Sequence, residues 1–180
     1  YDECMQPEQW LERWRTGQIG FHQSTVHPLL QRWWPRLALP HDARVYVPLC
    51  GRSLDMAWLA ARGHAVVGSE LSPVAIRDFY AGLGLQPGRS ETDGFVRHAA
   101  GPYEILEGDA LALDAAVLGA VAAAYDRAAL VALRPGMRVA HAATMARLLP
   151  RGARMLLVAC EYPQELKDGP PFSVEAREVR

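Results

Sequence analysis

Val45–Ala60, VYVPLCGRSLDMAWLA, joins a β-branched apolar run to an amphipathic one through a proline, a thiol and a glycine. A glycine in such a turn lets the backbone approach a ligand, and the helix behind it presents unpaired N–H groups. The turn PLCGRS carries one glycine, Gly51. A dinucleotide fingerprint needs three, and a phosphate loop needs a Gly-Lys-Ser/Thr end; neither pattern is present, which disfavours a pyrophosphate. Glu70 lies 19 residues after Gly51, at the end of the next apolar run, HAVVGSE. An acid about 20 residues past the first turn is placed to accept hydrogen bonds from ribose hydroxyls. Together they describe a nucleoside ligand without a pyrophosphate.

Other reactive side chains have plainer readings. Cys50, abutting a buried turn, reads as a small apolar filler and not as a nucleophile. His22 reads as polar surface, and Asp126 with Arg127 as a local ion pair of small consequence. Trp10 and Trp14, four residues apart, share one helical face and read as packing. The six histidines show no metal-ligand spacing with one another or with the cysteines, so no metal is expected.

The elements that must position these groups follow from pattern. Pro7–Arg15 begins like a helix, Thr16–His27 is a loop, Pro28–Trp34 is a short helix, and PRLALPHDA is a linker. Strand and helix then alternate. Arg44–Leu49 is a strand, Ser53–Arg62 a helix, His64–Glu70 a strand, and Ser72–Leu83 a helix with Ser72 as N-cap and Pro73 at its first position. Gln86–Gly94 reads as loop. Phe95–His98 and Tyr103–Glu107 form a hairpin. Ala120–Asp126 reads as a strand against alanine's preference for helix. Met137–Leu149 is a helix and Ala153–Cys160 a buried strand. This rhythm predicts an α/β fold: a doubly wound, mostly parallel sheet with helices on both faces. Ligands of such sheets bind beyond the carboxyl ends of the strands, which is where Gly51 and Glu70 fall. S-adenosylmethionine meets the ligand description.

With 180 residues, a net charge of −1 and 50% hydrophobic residues, the chain suits one globular domain. That charge gives no reason to expect nucleic acid or an anionic membrane as partner. No apolar run approaches a membrane span and no signal-peptide pattern is present. Three widely spaced cysteines fit a reducing cytoplasm better than a disulfide framework. Met5 followed by QPEQW looks like a natural start.

The stretches QPEQWLERWRTGQIGFHQ, VPLCGRSLDMAWLAARGHAVVGSELS, AAYDRAALVAL and DGPPFSV, in order from Met5 to Val179, together resemble the thiopurine S-methyltransferase family. The resemblance implies a class I, Rossmann-like methyltransferase domain over residues 1–180, with 1–42 as an N-terminal helical cap over the site and 43–180 as the sheet core. It implies transfer of the methyl of S-adenosylmethionine to the sulfur of aromatic and heterocyclic thiols, by a monomer, yielding S-adenosylhomocysteine. Carried across, Trp14, Leu49, Gly51, Glu70, Asp109 and Arg127 would contact the cofactor, with Gly108 beside Asp109. Phe21, Arg127, Pro170, Pro171 and Phe172 would border the substrate. Arg127 is the candidate for stabilising a thiolate or ordering a water; no acid or base is obligatory. Family members continue past the position of Arg180, so the C-terminal end reads as incomplete, without part of the substrate wall. Methylation of selenium or tellurium compounds, or cofactor binding without catalysis, are the alternatives.

Overall fold

The computed structural model describes residues 7–179; Cys4 and Met5 lie outside that range. The chain forms helices α1 (Pro7–Arg15), α2 (Pro28–Trp33), α3 (Leu54–Ala60), α4 (Pro73–Gly82), α5 (Ala115–Leu118), α6 (Ala129–Ala132) and α7 (Pro135–Leu148). Its strands are β1 (Arg44–Val47), β2 (Ala65–Glu70), β3 (Gly88–Thr92), β4 (Phe95–Ala100), β5 (Tyr103–Glu107), β6 (Ala123–Asp126) and β7 (Arg154–Leu157). They make one sheet in the order β3-β4-β5-β2-β1-β6-β7. β1 pairs in parallel with β2 and β6, β2 with β5, and β6 with β7. The strand order reverses between β1 and β6, and that switch point opens a crevice at their carboxyl ends.

Period-two alternation assigns each face of the sheet its own core. From β1, Val45 and Val47 enter a cluster with Leu30, Trp34, Met56, Ile76 and Tyr125. Tyr46 enters the opposite cluster, with Val67, Leu106, Leu113, Met145 and Leu148. Both faces are therefore covered, as a parallel sheet requires. The alanines of β6 fit this arrangement: Ala123 joins the first cluster and Ala124 the second, both fully buried. Packing overrides their helical propensity. The local stops also behave as their chemistry demands. Ser53 Oγ accepts the N–H of Asp55, and Ser72 Oγ that of Ala75, capping α3 and α4.

Two sequence expectations need correction. Gln86–Gly94 is not a loop, because Gly88–Thr92 pairs antiparallel with β4. The strand is exposed at four of its five positions, so it carries no apolar alternation to read. Its signal was the turn: Asp93 and Gly94 both have positive φ, 39° and 81°, and connect Thr92 to its partner Phe95. Asp-Gly is the preferred pair for such a two-residue hairpin turn. The linker after α2 also holds a 3-10 turn, Trp34–Leu37. Smaller differences are at ends: β7 covers only Arg154–Leu157 of the expected Ala153–Cys160. Among the described residues no helix is long and apolar enough to cross a membrane.

Gly68 in β2 marks a close approach. A Cβ there would stand 2.5 Å from Cys50 Sγ. The buried thiol thus fills space above β2, and burial pushes its pKa well up, which leaves it a poor nucleophile. Gly68→Ala is expected to cost about 1–3 kcal/mol by overpacking. In urea unfolding, the double variant with Cys50→Ala should lose less than the sum of the two single changes.

Candidate active site

The crevice at the switch point is a cleft of about 630 Å³. Its floor is the set of turns that follow the parallel strands. After β1, Leu49 has φ of +47° and Gly51 +53°, a sharp reversal that brings the backbone to the cleft. For a residue with a side chain such as Leu49 that conformation costs about 1–3 kcal/mol. The reversal is held by the Cys50 N–H, which donates to the Ser69 carbonyl at 2.9 Å. A Cβ on Gly51 would meet the Trp14 ring at 3.1 Å, so glycine is needed for space as well as for φ.

Glu70 ends β2 against this turn. Its Oε2 accepts the Gly51 N–H and its Oε1 the Ser72 N–H, both at 2.8 Å. Each oxygen keeps a lone pair, an arrangement suited to two neighbouring hydroxyls. Burial raises its pKa, against the pull of those N–H groups. Asp109, after β5, caps its own turn by accepting the Leu111 N–H at 2.9 Å, and its side borders the cleft.

The N-terminal segment covers the opening with aromatics. Phe21 stands edge-on to both Trp10 and Trp14, with ring centroids 5.5 Å apart in each pair. All of them border the cleft. Trp10 is therefore not simply packing. His22 is not plain surface either: it lines the cleft, and burial together with the Arg52 and Arg127 guanidinium groups holds its pKa below the usual value. It is neutral near neutral pH.

On the far side, Arg127 follows β6. It does not pair with Asp126. Asp126 is buried, accepting the Ala129 and Leu130 N–H groups on Oδ1 and meeting His141 Nε2 at 2.8 Å on Oδ2. The partner of Arg127 is Asp55, 3.4 Å from its Nε. Asp55 is 1% exposed and also accepts the His27 N–H at 2.8 Å and the Tyr125 hydroxyl at 2.9 Å. Sequence reading passed over Asp55, although it sits inside the quoted PLCGRSLD block. An acid on the apolar face of α3 was the available signal, since a buried charge needs partners.

Pro170 and Pro171 border the cleft from the C-terminal segment. Phe172 does not. It is 6% exposed and packs beneath, where a Cβ on Gly169 would reach its ring at 2.4 Å, and its N–H donates to the Val131 carbonyl at 2.7 Å. The cleft thus gathers Trp14, Phe21, Leu49, Gly51, Glu70, Asp109, Arg127, Pro170 and Pro171 and leaves Phe172 as their support. No group of metal-ligating side chains occurs among the described residues.

This sheet order and cleft define a Rossmann-like fold shared with S-adenosylmethionine-dependent methyltransferases. Burkholderia thailandensis 1,6-didemethyltoxoflavin-N1-methyltransferase, solved with S-adenosylhomocysteine and 1,6-didemethyltoxoflavin, superposes with a TM-score of 0.62. The two are 17% identical, over 87% of this chain and 62% of that one, so the likeness is one of fold. Sequence is more specific. A family model described as thiopurine S-methyltransferase matches residues 5–180. The thiopurine S-methyltransferase of Xanthomonas campestris pv. campestris (strain 8004) is 54% identical over 175 residues, which are 97% of this chain and 80% of that protein. That of Pseudomonas fluorescens (strain Pf0-1) is 50% identical over 176 residues, 98% of this chain and 81% of that protein. The chain belongs to the thiopurine S-methyltransferase family.

Asp55→Ala would strand a guanidinium, a phenol and a backbone N–H. It is expected to destabilise the protein by about 3 kcal/mol or more in urea unfolding. Asp55→Asn keeps the shape and one acceptor, and should cost less.

Proposed function

We propose that this protein transfers a methyl group from S-adenosylmethionine to the sulfur of aromatic and heterocyclic thiols. The observation that carries the reading is the Gly51–Glu70 pair: a carboxylate fixed by two N–H groups, each oxygen with a lone pair to spare, beside a turn that lacks the glycine pattern of a pyrophosphate cradle. The nucleoside end fits there, with Glu70 accepting from a ribose diol, Gly51 and Leu49 in backbone contact, Trp14 against it and Asp109 toward the base. Bound in this way, S-adenosylmethionine supplies an electrophilic methyl on a sulfonium whose thioether leaves without protonation.

The remaining work is orientation. Holding two reactants in line contributes up to roughly 7–11 kcal/mol to the rate, and no obligatory acid or base is required. Phe21 with Pro170 and Pro171 gives a flat apolar slot for an aryl ring. Arg127, its rotamer fixed by Asp55, presents positive charge beside that slot and favours a thiolate over the thiol. His22, held neutral, is able to take a thiol proton. Free Cys50 and Cys160 support a cytoplasmic setting, and the near-zero net charge supports a small-molecule acceptor with no nucleic acid.

Incubation with S-adenosylmethionine, 6-mercaptopurine, aryl thiols and selenite, read by mass spectrometry, tests the activity. Methylated thiols above the control are expected; methylated selenium alone would replace the reading. Arg127→Ala should lower kcat/KM for thiols by at least about tenfold, one charge-assisted contact being worth roughly 1.5–3 kcal/mol.

Glu70 gives a pH test. Burial raises its folded pKa, so its contribution to stability falls as pH rises through that value. Donating hydroxyls favour the ionised form instead. Affinity for S-adenosylmethionine, measured by calorimetry, should therefore weaken as pH falls from neutrality through the raised pKa. Glu70→Gln should bind weakly at neutrality and lack this dependence.

A further inference from the structure

The cleft is divided by charge. Its acids, Glu70 and Asp109, stand where β2 and β5 end, while Arg127, Arg134 and Lys167 border it from β6, the start of α7 and the C-terminal segment. Arg127 is matched by Asp55, and Arg52, at the β1 turn, lies 4.0 Å from Asp78, although its Nε–H is buried without an acceptor. Arg134 and Lys167 form no ion pair among the described residues.

Arg134 is also held in place. It immediately precedes α7, and its guanidinium carbon lies 5.7 Å from the centre of the Phe172 ring. That ring is anchored by the hydrogen bond from Phe172 to Val131. The Arg134 Nε–H is buried and meets no acceptor in the protein. A buried donor on a fixed cation is unfavourable unless a ligand oxygen meets it.

We infer that Arg134, assisted by Lys167, receives an anionic group of the methyl acceptor, whose class is an aryl or heteroaryl thiol bearing a carboxylate or similar oxyanion on its ring. The thiol part rests on the function proposed above; the anion site does not. The planar guanidinium fork matches a carboxylate in two parallel hydrogen bonds. The apolar ring body meets Phe21, Val131, Pro170 and Pro171, which border the same cleft. A neutral thiol satisfies those walls but leaves the buried donor unmet, and sites built for a polar partner discriminate strongly against ligands lacking it.

The test is calorimetric binding of 2-mercaptobenzoate, benzoate and benzenethiol, with and without S-adenosylhomocysteine, to the unaltered protein and to Arg134→Gln, Lys167→Gln and Arg151→Gln. The unaltered protein should bind 2-mercaptobenzoate at least tenfold more tightly than benzenethiol. The ratio should fall toward one in Arg134→Gln, fall partway in Lys167→Gln, and persist in Arg151→Gln, whose exposed side chain lies outside the cleft. Equal affinities in the unaltered protein, or a ratio that survives Arg134→Gln, overturn the inference. So does a tenfold loss of S-adenosylhomocysteine affinity in Arg134→Gln, which assigns the arginine to the cofactor's own carboxylate. Turnover of the same thiols separates the two readings: preferential binding of the anion without methylation leaves the anion site standing and removes the sulfur-methylation function.

Discussion

The carboxylate of Asp55 is the contact through which the separate parts of this molecule meet. It lies on α3, takes an N–H from the residue that caps α2, a hydroxyl from β6, and the charge of the arginine beyond β6. The start of α2, the first βα unit and the strand across the switch point are thus tied at one buried point. A carboxylate left alone there would be costly to ionise; surrounded by these donors it becomes a fixed negative centre. Arg127 is consequently held rather than free to follow solvent. The position of the cleft's central cation is set by the fold's own hydrogen bonding.

How legible this was in the sequence varied with the kind of signal. The parallel core was readable because β1 and β2 are apolar runs punctuated by proline, glycine and serine, chemistry that acts locally. β3 was not, since an exposed edge strand is held by its ladder to β4 and shows no apolar period; only Asp93-Gly94 announced it. At the site, Gly51 and Glu70 could be paired from spacing alone, because consecutive parallel strands bring their carboxyl ends together. Asp126 with Arg127 was misread for the opposite reason. Successive residues of a strand point to opposite faces, so the adjacent acid turns to His141 while the arginine finds its partner 72 positions earlier, on α3. Phe172 also parts from its neighbour, although no strand directs it: Pro171 borders the cleft, and the ring goes beneath it. Chain neighbours were poor guides to contact, and periodic placement a good one.

Several unfavourable features gather at the cleft, although Ala38 and Asp93 also hold left-handed conformations and His64 Nδ1 is buried without a partner elsewhere. Leu49 holds a left-handed backbone conformation, Glu70 is a buried carboxyl whose ionisation is opposed, and the Nε–H groups of Arg52 and Arg134 are buried without acceptors. All four residues border one cavity, while both core clusters are conventionally packed. A sequence selected for stability alone would relieve such costs, each removable by one substitution. Their persistence together is the mark of a site whose free energy is completed by what it binds. The signs are consistent with this. On the β2 side Glu70 lacks further donors, and on the α7 side the Arg134 guanidinium lacks an acceptor, as does Arg52 at the β1 turn. One ligand offering hydroxyls at one end, and another offering an anion at the other, would satisfy both, with the reacting atoms between them.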